Sequence, residues 1–111
     1  NGLEYVRQYI LNNADIVAII DCPVESFLQK KKKKTSLLIL KKKKREGLPQ
    51  TFDTFMAIAK TCGHDRRGKE VYVRDENGDP VIVDGNAVID NDFVEITRRL
   101  VEHVKTRNIY N

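Results

Sequence analysis

A run of seven residues, DIVAIID at positions 15–21, constrains the fold of this chain more than any other feature. Between its two aspartates the run is apolar and rich in β-branched residues, which is typical of a strand buried on both faces of a sheet. Such a strand needs a neighbour on each edge and cover on each face. The sequence therefore predicts an α/β fold in which this strand lies inside the sheet.

Two further segments have the length and composition of strands. Residues 35–40, TSLLIL, form a second apolar run. Residues 52–60 have some helical propensity, but their apolar side chains alternate over a strand-sized length, so we favour a third strand. Pro23 ends the first strand because proline has no amide N–H to donate. The polar segment 41–50 is predicted to be an exit loop, and 61–68 a second loop.

Two helices and a hairpin complete the predicted elements. The capping-box pattern of Asn1 and Glu4, followed by apolar residues at helical spacing, predicts a helix to about Asn12. A second amphipathic helix is predicted from about residue 91 to 106. Between segments 71–74 and 80–83, Asn77 and Gly78 tolerate the positive φ that tight turns need, which predicts a β-hairpin.

The basic residues are unevenly distributed. Two runs, at 30–34 and 41–45, hold ten of the twenty basic residues, so the remaining sequence has ten basic against sixteen acidic residues. This asymmetry is typical of a polyanion-binding segment on an acidic body. Solvated lysine-rich loops are the general alternative, and the two interpretations are compatible.

Composition excludes several classes of protein. A chain of 111 residues with 41% hydrophobic and 32% charged residues is ordinary for one small globular domain. Its apolar runs are too short to cross a bilayer, so we expect a cytoplasmic protein without membrane contact. The spacing of Cys22 and Cys62 predicts reduced thiols. Cys62 and His64, with Cys22 and His103 elsewhere, lack the paired short spacing of zinc sites, so no metal is predicted.

Three blocks in order carry a resemblance to a known family: NGLEYVRQYILNNADIVAIIDCPVESF, then KTSLLIL, then FMAIAKTCGHDRRGK. With them the chain resembles the modification subunit of type I restriction-modification systems, S-adenosylmethionine-dependent adenine-N6 DNA methyltransferases. The resemblance implies the C-terminal part of a Rossmann-like methyltransferase sheet. Residues 1–69 would hold its last helix and strands, and 70–111 a β-hairpin and helix extension of the same globular unit.

The resemblance also implies what this chain lacks. The family binds S-adenosylmethionine through a glycine-rich loop and handles the target amine through an Asn-Pro-Pro-aromatic motif, and neither sequence occurs here. We therefore expect both sites upstream of residue 1, no catalytic or cofactor-binding residue in this chain, and an inactive fragment. The implied partners are double-stranded DNA and the specificity and restriction subunits of the same system.

The same resemblance implies a target-base site between the first two strands. Phe27 occupies the position where related enzymes place an aromatic ring against the extruded adenine. Packing of this ring onto the core is the structural alternative. Five lysines replace the family's glycine- and threonine-containing stretch, and we expect them to contact DNA phosphates. They are Lys30, Lys31, Lys32, Lys33 and Lys34.

Other polar residues near this segment leave alternatives open. Arg66 and Arg67, in GHDRRG, are candidates for phosphate contacts, for salt bridges to another subunit, or for charges that face water. Asp21 and Glu25 lie near the predicted base site, but strand ends commonly carry an aspartate that satisfies turn amides. A non-catalytic nucleic-acid-binding or subunit-assembly module is the alternative function. In either case an exposed edge strand would favour self-association.

Overall fold

A computed structural model describes residues 2–26 and 35–110. Within these ranges the chain is mixed α/β, as predicted, with two helices, a three-stranded sheet and a series of short hairpins. In chain order the elements are α1 (Gly2–Asn13), β1 (Ala14–Cys22), a 3₁₀ turn (Val24–Ser26), β2 (Thr35–Lys42), β3 (Phe55–Ile58), β4 (Ile82–Val83), β5 (Asn86–Ala87) and α2 (Asp92–Thr106).

The sheet has the strand order β2-β1-β3, with β1 antiparallel to β2 and parallel to β3. The three predicted strands are confirmed, and β1 has a neighbour on each edge. Strand β2 is longer than predicted, because Lys41 and Lys42 pair with Asp15 and Ala14 at the beginning of β1. The exit loop therefore begins at Lys43.

One face of the sheet is covered and the other is open. Helix α2 covers the face of Ile20, and Ile96 of α2 packs there with Ala59. On the opposite face, Met56 and Ile58 are each 71% exposed. Partly buried side chains complete the packed face: Ile39, Phe55, Ala57, Phe93 and Leu100.

The prediction that β1 is buried on both faces is confirmed only in part: Val17, Ala18 and Ile20 are buried, whereas Ile19 is half-buried and Asp21 is exposed. Helix α1 supplies no cover, since it contains no buried residue. The reason is local: β1 begins at Ala14, directly after the last helical residue, Asn13. Without a turn between them, the helix cannot fold back over the strand that follows it.

The end of α1 is held by the segment that follows β2. Lys43 Nζ donates to the carbonyl oxygen of Leu11 at 2.9 Å and also to that of Leu48. The same ammonium lies 3.8 Å from Asp15 Oδ1, and the Lys43 side chain is only 9% exposed. A lysine near a helix C-terminus satisfies carbonyls that lack a helical partner. Lys43 is therefore structural, although it belongs to the second basic run.

The predicted hairpin around Asn77 and Gly78 is confirmed. Arg74 pairs with Pro80, and Gly78 has a φ of 83°. Two further hairpins were not predicted. One joins His64 to Glu70 across residues 65–69, and the other joins β4 to β5 through a two-residue turn. Segment 61–68 is thus the first arm and turn of a hairpin rather than an open loop.

The second predicted helix is confirmed as α2. The Asn91 side chain accepts a hydrogen bond from Phe93 N at 3.0 Å, which caps the helix start. Near its other end, the buried His103 lies with Nε2 2.9 Å from the carbonyl oxygen of Asp53, and its ring meets Phe55 edge-on. Neither α1 nor α2 is long and apolar enough to cross a membrane.

Candidate nucleic-acid interface

The candidate site lies at one end of the sheet. Because β1 and β3 are parallel, their carboxyl ends meet at the same edge, and the start of β2 lies there too, since Thr35 pairs with Cys22. Asp21 Oδ1 accepts a hydrogen bond from Ser36 Oγ at 2.6 Å and ties the two strands together. In open α/β sheets, ligands bind outside the carboxyl ends of strands. We name this end the carboxyl edge.

The predicted base-stacking and phosphate-binding residues belong to the segment that leaves and rejoins the sheet at the carboxyl edge. Ser26 is the last described residue before it and Thr35 the first after it. Phe27 and the lysines at 30–34 lie outside the described residues, so their roles stay predictions. What the structure gives is the position of the two ends of that segment.

A cavity of 180 Å³ lies beside the beginning of this segment. Glu25, from the 3₁₀ turn after β1, forms part of its wall. The rest of the wall comes from the residues that follow β3 and from the hairpin region: Thr61, Cys62, Gly63, His64, Asp65, Val71 and Asp90. The cavity therefore joins the beginning of the lysine-containing segment to the GHDRRG sequence, which are far apart in the chain.

The turn at residues 65–69 presents two arginines beside this cavity. Asp65 Oδ1 accepts hydrogen bonds from Arg67 N at 2.9 Å and Lys69 N at 3.0 Å. The Lys69 N–H is the main cause that lowers the pKa of Asp65, and the Arg67 N–H adds to it. The carboxylate is thus engaged by the backbone, which leaves the exposed side chains of Arg66 and Arg67 at the tip.

Most arginines near the end of the chain are paired, and those at the tip are not. Among the described residues, no carboxylate lies within ion-pair distance of Arg66 or Arg67, whereas three arginines of the C-terminal segment have carboxylate partners. Their pairs are Arg98 with Glu95 and Glu102, Arg99 with Glu95, and Arg107 with Asp53. A guanidinium without an internal partner is available for a phosphate. The absence of an ion pair argues against a structural salt bridge within the described residues and is compatible with either a phosphate contact or charges that face water.

The second basic run lies at the other end of β2. Lys42 pairs with Ala14, the first residue of β1, whereas the first run directly precedes Thr35 at the carboxyl edge. The eight residues of β2 separate the two ends by roughly 25 Å at the usual rise per residue. The second run is thus attached to the end of β2 that is farther from the carboxyl edge, whereas the first run precedes Thr35 in the sequence.

A thiol and an imidazole come together in the cavity wall. Cys62 Sγ lies 3.7 Å from His64 Nε2, and His64 Nδ1 lies 2.9 Å from the carbonyl oxygen of Asp65. The glycine between them, Gly63, has a φ of 90°, which turns the chain so that both side chains face one another. The sequence did not predict that these two side chains would meet. The sequence Cys-Gly-His was the signal, because glycine permits this turn.

The other candidate metal ligands lie elsewhere. His103 faces Asp53 and Phe55, and Cys22 is buried with its Sγ 3.7 Å from the carbonyl oxygen of Ile20. Burial raises the pKa of the Cys22 thiol. In the described ranges, no group of three or more histidine, cysteine, aspartate or glutamate side chains is placed to hold a metal ion.

Comparison with known proteins gives no relative: no family model, no curated protein and no solved structure matches this chain.

Proposed function

We propose that this chain forms the target-base and DNA-backbone side of an adenine-N6 DNA methyltransferase. One observation carries the proposal: the antiparallel pair of β1 and β2 delivers both ends of the segment that contains Phe27 to the carboxyl edge, beside the turn of Arg66 and Arg67. This position of the two ends supports the proposal, because they lie at the same end of an α/β sheet as the arginine turn.

In this proposal each group has a separate role. Phe27 stacks on the extruded adenine, because chemistry on the amine requires the base to leave the helix. Arg66 and Arg67 bind backbone phosphates and position the duplex without reading its sequence. Lysines act in the same way at the neighbouring segment, namely Lys30, Lys31, Lys32, Lys33 and Lys34. S-adenosylmethionine and the amine-activating residues belong to another part of the enzyme, whose sheet is Rossmann-like.

The uncovered apolar surfaces support a larger assembly. On the open face of the sheet, Leu38 is 50% exposed beside the more exposed Met56 and Ile58. On α1, Tyr5 and Tyr9 are 74% and 62% exposed. Exposed apolar patches of this kind mark surfaces that pack against other protein. They support the assignment of the chain to one part of a multi-part enzyme, and they equally favour the alternative of a subunit-assembly module.

The test measures transfer of a methyl group from S-adenosylmethionine to adenine in duplex DNA by the complete protein that contains this chain. Phe27→Ala should slow transfer by an amount equivalent to about 1 to 3 kcal/mol, the usual value of one base–aromatic stack. Fluorescence of 2-aminopurine at the target position should fall in parallel, since less base is extruded. Binding of S-adenosylmethionine should not change.

Phe27→Tyr is the matched control, because it keeps the ring and should keep most of the activity. Unchanged methylation by Phe27→Ala would refute the role of this residue. If the complete protein transfers no methyl group but the chain binds duplex DNA with a steep salt dependence, the non-catalytic nucleic-acid-binding module replaces the enzyme as the proposed function.

A further inference from the structure

We propose that Cys62 is a modification site for small uncharged electrophiles, with His64 as the base that takes the thiol proton. This proposal is independent of DNA binding and of methyl transfer. It rests on the geometry of a thiol and an imidazole in a cavity wall and on the contrast with the second cysteine of the chain.

Hydrogen bonding fixes the orientation and tautomer of the His64 ring. A backbone carbonyl can only accept, so the Nδ1 atom that lies 2.9 Å from the oxygen of Asp65 carries a hydrogen and donates it. In the neutral ring, the lone pair is then on Nε2, which lies 3.7 Å from Cys62 Sγ, and the same thiol also donates to the carbonyl oxygen of His64 at 3.5 Å. A base held by a third group and directed at a thiol is the arrangement that activates cysteine nucleophiles.

The backbone holds the pair in place. Gly63 N donates to the carbonyl oxygen of Asp90 at 2.9 Å, and the Gly63 carbonyl accepts from Val71 N at 3.1 Å. A Cβ atom on Gly63 would lie 3.2 Å from Ile89 Cγ2, and the φ of 90° is rarely adopted by residues with a side chain. The turn that brings thiol and imidazole together is therefore fixed by its neighbours rather than by the pair itself.

The cavity determines which electrophiles can approach. Its volume is 180 Å³, and its wall contains the carboxylates of Glu25, Asp65 and Asp90. Asp90 Oδ1 accepts a hydrogen bond from Thr61 Oγ1 at 2.9 Å, and Asp65 is engaged by backbone amides. Negative charge along the wall disfavours an anionic reagent. An uncharged electrophile is therefore the preferred reactant.

Iodoacetamide serves as the probe of this chemistry. The Cys62 sulfur attacks the methylene carbon, a sulfur–carbon bond forms, and the carbon–iodine bond breaks. Iodide leaves with the electron pair of that bond. The thiol proton passes to His64 Nε2 and then to solvent, so the product is a neutral thioether and no oxidant or reductant is needed.

Cys22 provides an internal control. It is 4% exposed, its Sγ points to the carbonyl oxygen of Ile20, and burial raises the pKa of its thiol. A buried thiol with a raised pKa is a poor nucleophile because little thiolate is present and reagents cannot reach it. The same sample thus contains one cysteine with a base and one without.

The first experiment uses the unmodified chain. Alkylation by iodoacetamide is measured separately at the two cysteines by mass spectrometry, in native protein and in guanidinium chloride at the same pH. In the native chain Cys62 should react roughly tenfold faster than in the unfolded chain. This factor is a modest part of the rate gain that a positioned base supplies in active sites. A thiol that is merely exposed would react faster after unfolding, and that result would overturn the proposal.

Two further comparisons test the role of the base and the effect of the cavity separately. His64→Gln should lower the native rate at Cys62 to that of the unfolded chain. Cys22 must stay unreactive in that variant, which shows that the fold persists. Folding should accelerate the reaction of Cys62 with iodoacetate, the anionic counterpart, less than its reaction with iodoacetamide. Equal native rates for His64→Gln and the unmodified chain would refute His64 as the base, and equal behaviour of the two reagents would refute the preference for uncharged reactants.

Discussion

Two turns of the chain have the same backbone and opposite charges. In the arginine turn, residues 65–69, Asp65 N donates to the Lys69 carbonyl at 2.8 Å. In the acidic turn, residues 75–79, Asp75 N donates to the Asp79 carbonyl at the same distance. In each turn the first aspartate accepts from the amides of the third and fifth residues, at 2.9 and 3.0 Å. The fourth residue is a glycine with a φ of 83° in both.

The two turns differ in the tip residues, whose side chains do not fix the turn geometry. Arg66 and Arg67 form the tip of one turn, and Glu76 and Asn77 form the tip of the other. Since the first aspartate and the glycine fix the geometry, the two tip residues are free to vary without loss of the turn. The comparison indicates that the backbone of the turn does not require arginines at its tip, and the proposed phosphate contact would account for them.

Exchange of the tips gives the largest expected effect. The double change Arg66→Glu and Arg67→Asn transfers the acidic tip onto the first turn and should weaken binding of duplex DNA. The slope of log affinity against log salt should fall by about one for each phosphate contact removed, so by about two. The free energy of unfolding should hardly change, because the turn geometry is kept.

The reverse exchange is the matched control. Glu76→Arg with Asn77→Arg adds the same two guanidinium groups to the other turn, away from the cavity at the carboxyl edge. It should leave the salt slope near that of the unmodified chain. If both exchanges shift the slope by equal and opposite amounts, net charge rather than position governs binding, and the assigned interface is wrong.

Replacement of the glycines tests whether the two turns are equivalent in stability. Gly68→Ala and Gly78→Ala each place a Cβ on a residue with a φ of 83°, which disfavours the left-handed conformation by roughly 1 to 2 kcal/mol. Urea unfolding should show similar losses for both variants. A Cβ on Gly78 meets no atom within 4 Å, so its loss reports the backbone alone. A much larger loss at Gly68 would show that the arginine turn is held by contacts that the acidic turn lacks.

Sequence patterns predicted one of these turns and missed the other. Asn77 before Gly78 is a strong turn signal, whereas the residue before Gly68 is Arg67, so segment 61–68 was predicted to be a loop. The shared determinant is the spacing Asp-x-x-Gly, in which the aspartate side chain accepts two amides. Local sequence propensity identifies an Asn-Gly pair more readily than an aspartate acceptor three residues before the glycine.

The elements of the sheet were predictable, but their cover was not. The apolar run of β1 predicted a strand with neighbours, which is confirmed, and it predicted burial on both faces, which is confirmed only in part. An apolar run predicts that a strand is buried, but it does not identify the element that packs against each face. The pair of Cys62 and His64 was missed for a related reason, since their contact depends on the φ of Gly63 rather than on spacing.

The smallest expected effect concerns the charge around Asp65. The Lys69 N–H is the main cause that lowers the pKa of this carboxyl, and the charges of Arg67 and Lys69 add to it. A carboxyl whose pKa is lowered in the folded state stabilises the fold at pH values above its ordinary pKa of 3.8. That contribution is lost as the pH falls below this value. Asp65→Asn should therefore destabilise the chain at neutral pH, and its difference from the unmodified chain should shrink in acid.

When the tip is exchanged by Arg66→Glu and Arg67→Asn, the effect of Asp65→Asn at neutral pH should become smaller, because one of the two favourable charges is gone and an acidic side chain is added. Urea unfolding of the four proteins at neutral pH and near pH 3 measures this coupling, and an unchanged effect of Asp65→Asn would show that the backbone amides alone act on Asp65.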